Sequence, residues 1–443
     1  MSFLRSPERR VLLATQFREL RASRAFLVVA ALLGPLVAHA ARTAMQAYAE
    51  ASGVGGGAAA LTSALSPLDG FVSPTFGAYA VAAMLLFPFV AIRVVSADKE
   101  SGAHGIVLQA ASARTIVALK FIALLVTWIV LFTPGIIALL YWRGAGGHLG
   151  PAETLGVLAG HVLRGAFVSA LGIACAAVAE SGASAAVIAL AVTIGGWAID
   201  FTASVQGGWV AEFARFTPDA ALRNFERGII ESSVIVVSVL VIAALLAVAA
   251  LWLDPARSMR ARLRGLALIV FALSIGLDSA GRLRSSWDVS EDRRNSFSDA
   301  DAAALRAIGE PLRIEVNLGP EDPRLTDLER GVFSKLRRTM RDVQLTYTAQ
   351  TSTGLFEGSS TGYGDVTYHL GGRSAVSKSS IPQVVLETIY GLAQRTPPVA
   401  EPNAYPGYPA TFNAGVTELI VLVLVWPLLV VAVCVAPPRR RSP

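Results

Sequence analysis

His161 and Arg164 lie one helical turn apart inside a long apolar run, and Asp200 lies near the far end of the next run. Ionisable side chains within membrane-length apolar segments are expensive to bury, so each is by default a candidate functional group. Counting ~1.5 Å per residue from the turn between the two runs puts Arg164 at roughly 21 Å and Asp200 at roughly 25 Å. The two could meet, as a pair that fixes helix packing; the other readings are an arginine snorkelling along a wet cavity and a direct role in substrate passage. Other chemistry-bearing patterns are thinner. Residues 358–362, GSSTG, fit G-x-S-x-G with Ser360 at the nucleophile position. That motif needs a strand, a strained turn and then a helix, whereas here a Gly/Ser/Thr-rich stretch precedes a strand, so a plain loop is expected. The five histidines, His39, His104, His148, His161 and His369, are scattered without H-E-x-x-H spacing. No G-x-x-x-x-G-K-[ST] loop occurs, and the glycines of GVGGGAA (53–59) lack the strand and helix a dinucleotide fingerprint requires. Cys175 and Cys434 both fall in apolar runs and make no disulfide framework or zinc spacing. We expect no catalytic residue, no metal and no cofactor.

The elements that hold these groups are membrane spans. Of 443 residues, 53% are hydrophobic and only 16% charged, too apolar for a soluble enzyme. The apolar residues gather in eight runs, about 25–41, 77–95, 118–141, 154–178, 183–201, 233–253, 265–281 and 414–436. Each is long enough for a ~30 Å hydrocarbon layer. The net charge of +6 follows the positive-inside pattern rather than a nucleic-acid footprint. Arg5, Arg9, Arg10, Arg18, Arg21 and Arg24 precede the first run, and Arg257, Arg260, Arg262 and Arg264 fill the link after the sixth. Arg439, Arg440 and Arg441 end the sequence, whereas Arg42 alone and Arg143 alone mark the first and third links. Both termini are therefore expected in the cytoplasm, with the basic clusters free to contact lipid headgroups. The link at 179–182 is the exception, with no basic residue. The A-x-A at Ala38 and Ala40 resembles a signal-peptide cleavage site, but the long basic lead favours an uncleaved first span.

Residues 1–24 place Leu13, Phe17 and Leu20 at i, i+4 and i+7 among arginines, an amphipathic helix expected at the cytoplasmic interface. An outer loop is expected at 42–76, and short helices lying at or dipping into the outer interface at 202–232. Residues 282–411 differ in kind. Ser298 and Asp301 form a capping box, LRIEVNL, VQLTYT and DVTYHL alternate like strands, and two helical stripes lie between and after them. A small α/β domain outside the cytoplasm is expected, held by the last two spans, with Asp278, Arg282 and Arg284 as an interfacial charge cluster at its root.

The stretch DKESGAHGIVLQAASARTIVALK (98–120) is semi-polar between two spans. Its glycines break the membrane helix, its charges hold it at the headgroups, and an amphipathic helix restarts after them. Such a protruding helix suits a groove on a soluble partner. The surrounding residues 67–125 resemble ABC-2 type exporter permeases, especially those for nitrous-oxide-reductase maturation, as do IGGWAIDF and FERGII further on. The resemblance covers about residues 7–255. It implies an interfacial helix, six spans (25–255) and a coupling helix between spans two and three. ATPase docking would then fall on Asp98, Lys99, Glu100, Ser101 and Gly102, supported by Arg18 and Glu19. Residues 287–318 look like the segment after a span in the auxiliary domain of gliding-motility-associated ABC transporters, which would add a cytoplasmic link and seventh span (256–281), the outer domain (282–411) and an eighth span with its basic cytoplasmic tail (412–443). Together these imply a permease in a bacterial inner membrane, acting as a homodimer or with a sister permease, with two separate P-loop ATPase subunits. A non-transporting mechanotransmission or scaffold device would keep the same docking. A secondary transporter would need midplane carboxylates and inverted repeats, which the sequence lacks.

Overall fold

The structure, a computed structural model, describes residues 7–55, 66–206, 214, 217–319, 322–349, 362–399, 405–410 and 420–435. Helix α1 (Pro7–Ala22) buries Leu20, with Leu13 and Phe17 half-buried on the same stripe. After it come α2 (Arg24–Gly55), α3 (Leu68–Glu100), the short α4 (Ala103–Ala110), α5 (Ala113–Gly144), α6 (Pro151–Val178) and α7 (Gly182–Gln206). A second short helix, α8 (Pro218–Glu226), leads into strand β1 (Ile229–Glu231), then α9 (Ser232–Trp252) and α10 (Met259–Gly281). Among the described residues seven of these helices are long and apolar enough to cross a membrane, and the chain is a polytopic helical membrane protein. The eighth expected run is present as a shorter apolar helix, α14 (Val421–Cys434), packed on α2, where Trp426 Nε1 donates to the carbonyl of Ala30 at 2.6 Å.

The loop expected at 42–76 is shorter than its composition suggested. The stretch ARTAMQAYAEAS is rich in the best helix former, and Ala41, Ala44, Met45 and Tyr48 bury one face, so α2 runs on to Gly55. Helix α6 sits at the centre of the bundle: 78% of its span window is enclosed, against 6% for α10. Its sequence explains this, because Gly, Ala and Ser dominate and let neighbouring backbones come close where lipid supplies no hydrophobic drive between helices. Around it, several buried polar groups are paired. Trp128 Nε1 donates to His161 O at 2.8 Å, and Tyr79 donates to Leu131 O while accepting from Gly135 N.

The second core belongs to the small α/β domain. Strand β2 (Ser286–Asp288) pairs antiparallel with β1, tying the start of α9 to the segment after α10. Then come α11 (Asp299–Arg306), β3 (Leu312–Val316) and a continuous helical stretch α12, formed by Pro323–Leu328, Glu329–Phe333 and Ser334–Thr339. Strands β4 (Val343–Tyr347), β5 (Val366–Leu370) and β6 (Arg373–Ser377) and helix α13 (Pro382–Ala393) complete it. The sheet order is β4-β3-β5-β6, with β3 and β4 parallel and the other pairs antiparallel. The parallel pair needs a crossover, and α12 supplies it. Leu312, Ile314 and Val316 of β3 face the same side as Val366, Tyr368 and Leu370 of β5, and all are buried under Phe333, Leu336 and Ile389. Ser298 caps α11 as expected, accepting from Asp301 N at 3.1 Å. Strand β6, whose sequence does not alternate, was not expected.

Candidate functional site

Two polar assemblies stand at opposite ends of the bundle. At one end, Lys120 of α5 is 1% exposed and carries three donors, each of which finds an acceptor. They reach Asp98 Oδ2 at 2.6 Å, Val94 O at 2.7 Å and Gln16 Oε1 at 3.0 Å, so α1, α3 and α5 are clamped at one ammonium group. Glu19 lies beside it, accepting from Gln16 Nε2 at 3.3 Å. Its carboxyl is pushed above the usual range, first by burial and then by the charge of Asp98. Arg18 is exposed next to it. Lys99 turns the other way and donates to the carbonyls of Ala176 and Ala179 at 3.1 and 2.7 Å, capping the C-terminus of α6 where the helix dipole favours a cation.

Asp98 and Lys99, expected to meet a partner, are therefore turned inward. Glu100 pairs with Arg93 at 3.0 Å, but both side chains are 55% exposed. Ser101 donates to Ala97 O at 2.7 Å, and Gly102 adopts φ 74°, a left-handed conformation that glycine holds without strain and that turns the chain into α4. Helix α4 has no buried residue, and Ile106 is 70% exposed. His104 tethers it, its ring Nε2 lying 3.0 Å from the carbonyl oxygen of Leu253 just after α9.

At the other end Arg164 and Asp200, whose depths would let them meet, do not pair. Arg164 Nη2 lies 2.9 Å from Asp219 Oδ1, and Asp200 pairs instead with Arg223. Both new partners come from α8, a segment read from sequence only as a short interfacial helix. Counting rise per residue gives depth but not the direction a side chain faces, and it cannot foresee a third helix between the two. Helix α8 forms because Thr217 caps it, accepting from Ala220 N at 3.2 Å, Pro218 opens it, and Asp219 meets the positive end of its dipole. Leu222 and Phe225 then bury one stripe against α6.

The close fit depends on Gly160: a Cβ there would lie 2.5 Å from Phe225 Cβ, an atom fixed to the backbone. Gly160→Leu is expected to displace α8 and lower stability by about 1–3 kcal/mol through overpacking. Thermal melting together with amide exchange over residues 217–231 would check this, and unchanged exchange there would refute the fit.

His161 is fully buried beneath the rings of Phe76 and Tyr79, with Nε2 3.5 Å from Glu226 Oε1. Neither of its ring nitrogens makes a hydrogen bond among the described residues, and nor does Nε of the 3% exposed Arg164. Above α8 opens a cavity of about 940 Å³, bounded by α6, α8, α9 and α12 of the small domain. Its wall carries Arg223 and Arg227 of α8, Arg294, and Arg330, Arg337 and Arg338 of α12. The spacing of Arg223 and Arg227, four residues apart in ALRNFERG, was the one sequence signal for it. Asp278 and Arg282 pair at 2.6 Å as expected, both exposed, while Arg284 donates to Arg341 O in the small domain. Ser360 of the GSSTG stretch lies outside the described residues. Comparison of the chain with known protein families, with curated proteins and with solved structures finds no match.

Proposed function

We propose that this chain is the permease subunit of an ABC exporter in a bacterial inner membrane, driven by separate P-loop ATPase subunits that dock on α4. The observation that carries this reading is the contrast around residue 100. The base of α4 is locked into three helices through Asp98, Lys120 and Gln16, and into α6 through Lys99, whereas α4 itself exposes Ile106 to solvent. A protruding apolar helix on a rigid base is the shape that transmits a push. ATP-driven closure of the docked subunits would move α4, and Lys99 would pass that displacement to α6, whose His161 and Arg164 hold α8 at the far end. Coupling of this kind needs both ends to bias one two-state element, and α6 is the element both ends grip. Both termini face the cytoplasm in this reading, and the chain works as a homodimer or with a sister permease. The export substrate would pass under control of the small domain. The β1–β2 ribbon, which joins that domain to α9, also suits a device that moves the domain without moving a solute.

The test is co-purification of a tagged chain from its native membranes beside Ile106→Arg and Glu100→Arg variants. A P-loop ATPase is expected with the unchanged chain, reduced about tenfold or more by Ile106→Arg, since a buried charge in a docked apolar groove costs at least ~1.4 kcal/mol. Glu100→Arg is expected to weaken recovery less. No ATPase with the unchanged chain would sink the exporter reading, and equal recovery from all three would move the docking site off α4.

A further inference from the structure

The cavity above α8 is lined by both arginines and apolar side chains. Arg164, Arg223, Arg294 and Arg338 each have a protein partner: Asp219, Asp200, Asp69 with Asp292, and the carbonyl of Asn295. Arg227 and Arg330 differ. Neither makes an ion pair among the described residues, both are exposed and line the cavity, and Arg330 lies close enough to depress the proton affinity of Arg227, second only to burial and partly offset by Asp69 and Glu226. Two mutually repelling guanidinium groups in a partly enclosed space are an unfavourable arrangement that a bound anion relieves. Arg164 adds a second observation, because its unsatisfied Nε is buried at the floor of the same cavity.

The lining also includes an apolar set, Leu163 and Phe167 of α6 and Val234, Val237 and Val241 of α9. From Val234 to Val241 this lane runs ~10 Å along a membrane-spanning helix. Only 17% of the α9 span window is enclosed, so the lane lies on a helix whose flank is open. Arg227 precedes the first residue of α9 by five residues, at the end of the span where a headgroup layer would lie, and the apolar lane follows along the helix. We infer that the cavity binds an anionic amphiphile, its phosphate-bearing head held between Arg227 and Arg330 and its acyl chain laid along Phe167, Val237 and Val241. Guanidinium groups suit phosphate because their planar forks match its oxygens. A cavity of this volume takes a headgroup and the first part of a chain. The inference stands apart from ATPase docking at α4, so either can fail alone.

The test uses the full chain purified in detergent, challenged with phosphatidylglycerol or phosphatidylcholine and read by native mass spectrometry. Inorganic phosphate is a competing arm. The unchanged chain is expected to retain phosphatidylglycerol about tenfold or more over phosphatidylcholine, and Arg227→Gln with Arg330→Gln to lose that preference, as expected for charge-assisted contacts. Arg330→Gln alone, on an exposed position of α12, keeps the comparison decisive if the double variant folds poorly. Val237→Trp is expected to cut retention of the lipid without altering the response to phosphate. Equal retention of both lipids by the unchanged chain would overturn the inference. Full displacement of phosphatidylglycerol by inorganic phosphate would overturn the acyl-chain half and leave a site for a soluble phosphorylated ligand.

Discussion

Lys120→Met is expected to destabilise the protein by about 3–5 kcal/mol, the range for breaking a buried ion pair by removing one partner. The loss comes from what remains. Asp98, its side chain only 10% exposed, would be left without its cation, and Gln16 would lose the contact that fastens α1 to α5. Thermal melting of the purified protein should fall sharply, and amide exchange over residues 7–22 should rise. The companion variant separates charge from packing: Asp98→Leu combined with Lys120→Met leaves no stranded carboxylate, so most of the stability should return. A single Lys120→Met variant that melts normally would refute the clamp. The nearby Arg93–Glu100 pair is a built-in contrast, because exposed pairs contribute about 0–1 kcal/mol and Glu100→Gln should scarcely move the melt.

Arg164→Met should be the second large loss, somewhat smaller because the side chain of Asp219 is 17% exposed. The informative experiment is a pair of double-mutant cycles. Arg164 with Asp219 should show a coupling energy within the ~0.5–3 kcal/mol expected of residues in contact, and Arg164 with Asp200 should be additive to within ~0.5 kcal/mol. The reverse result would restore the pairing read from the sequence and displace α8 from its position. Exchange in residues 217–231 should rise in Arg164→Met, since Asp219 is the first-turn anchor of that helix.

Apolar length was the most legible property of this sequence. Spans are marked by composition alone, and the seven long helices fall on seven of the eight expected runs. Strict alternation likewise marked β3 and β5, because one face of each is buried and the other is not. Strand β6 escaped because it is an edge strand with only partial burial, so its residues, RSAVS, have no reason to alternate. The ends of the spans were misjudged where alanine-rich helix continued past the apolar run, as in α2. Among the candidate residues, Lys99 and Asp98 were singled out through the family resemblance, but their direction was not legible. A charge beside a span end reads the same whether it faces a partner subunit or the carbonyls of Ala176 and Ala179. The cavity was almost invisible, because its arginines are gathered from residues 223 to 338 by the folding of two distant segments onto each other.

The partners of Arg164 also set a timetable for synthesis. Asp219 lies 55 residues further along the chain, so at ~5–20 residues per second the ribosome delivers it roughly 3–11 s after Arg164. During that interval a guanidinium group must sit in a nascent membrane helix with no counter-ion. Lys120 has no such wait, since Asp98 precedes it by 22 residues and is already in place. The α4 end can therefore knit early, whereas α8 gains its ion pairs only once Asp219 and Arg223 emerge, and β1 is paired only after Asp288. A nascent chain stalled between Arg164 and Asp219 would be the species in which membrane insertases and quality-control proteases meet an unneutralised charge.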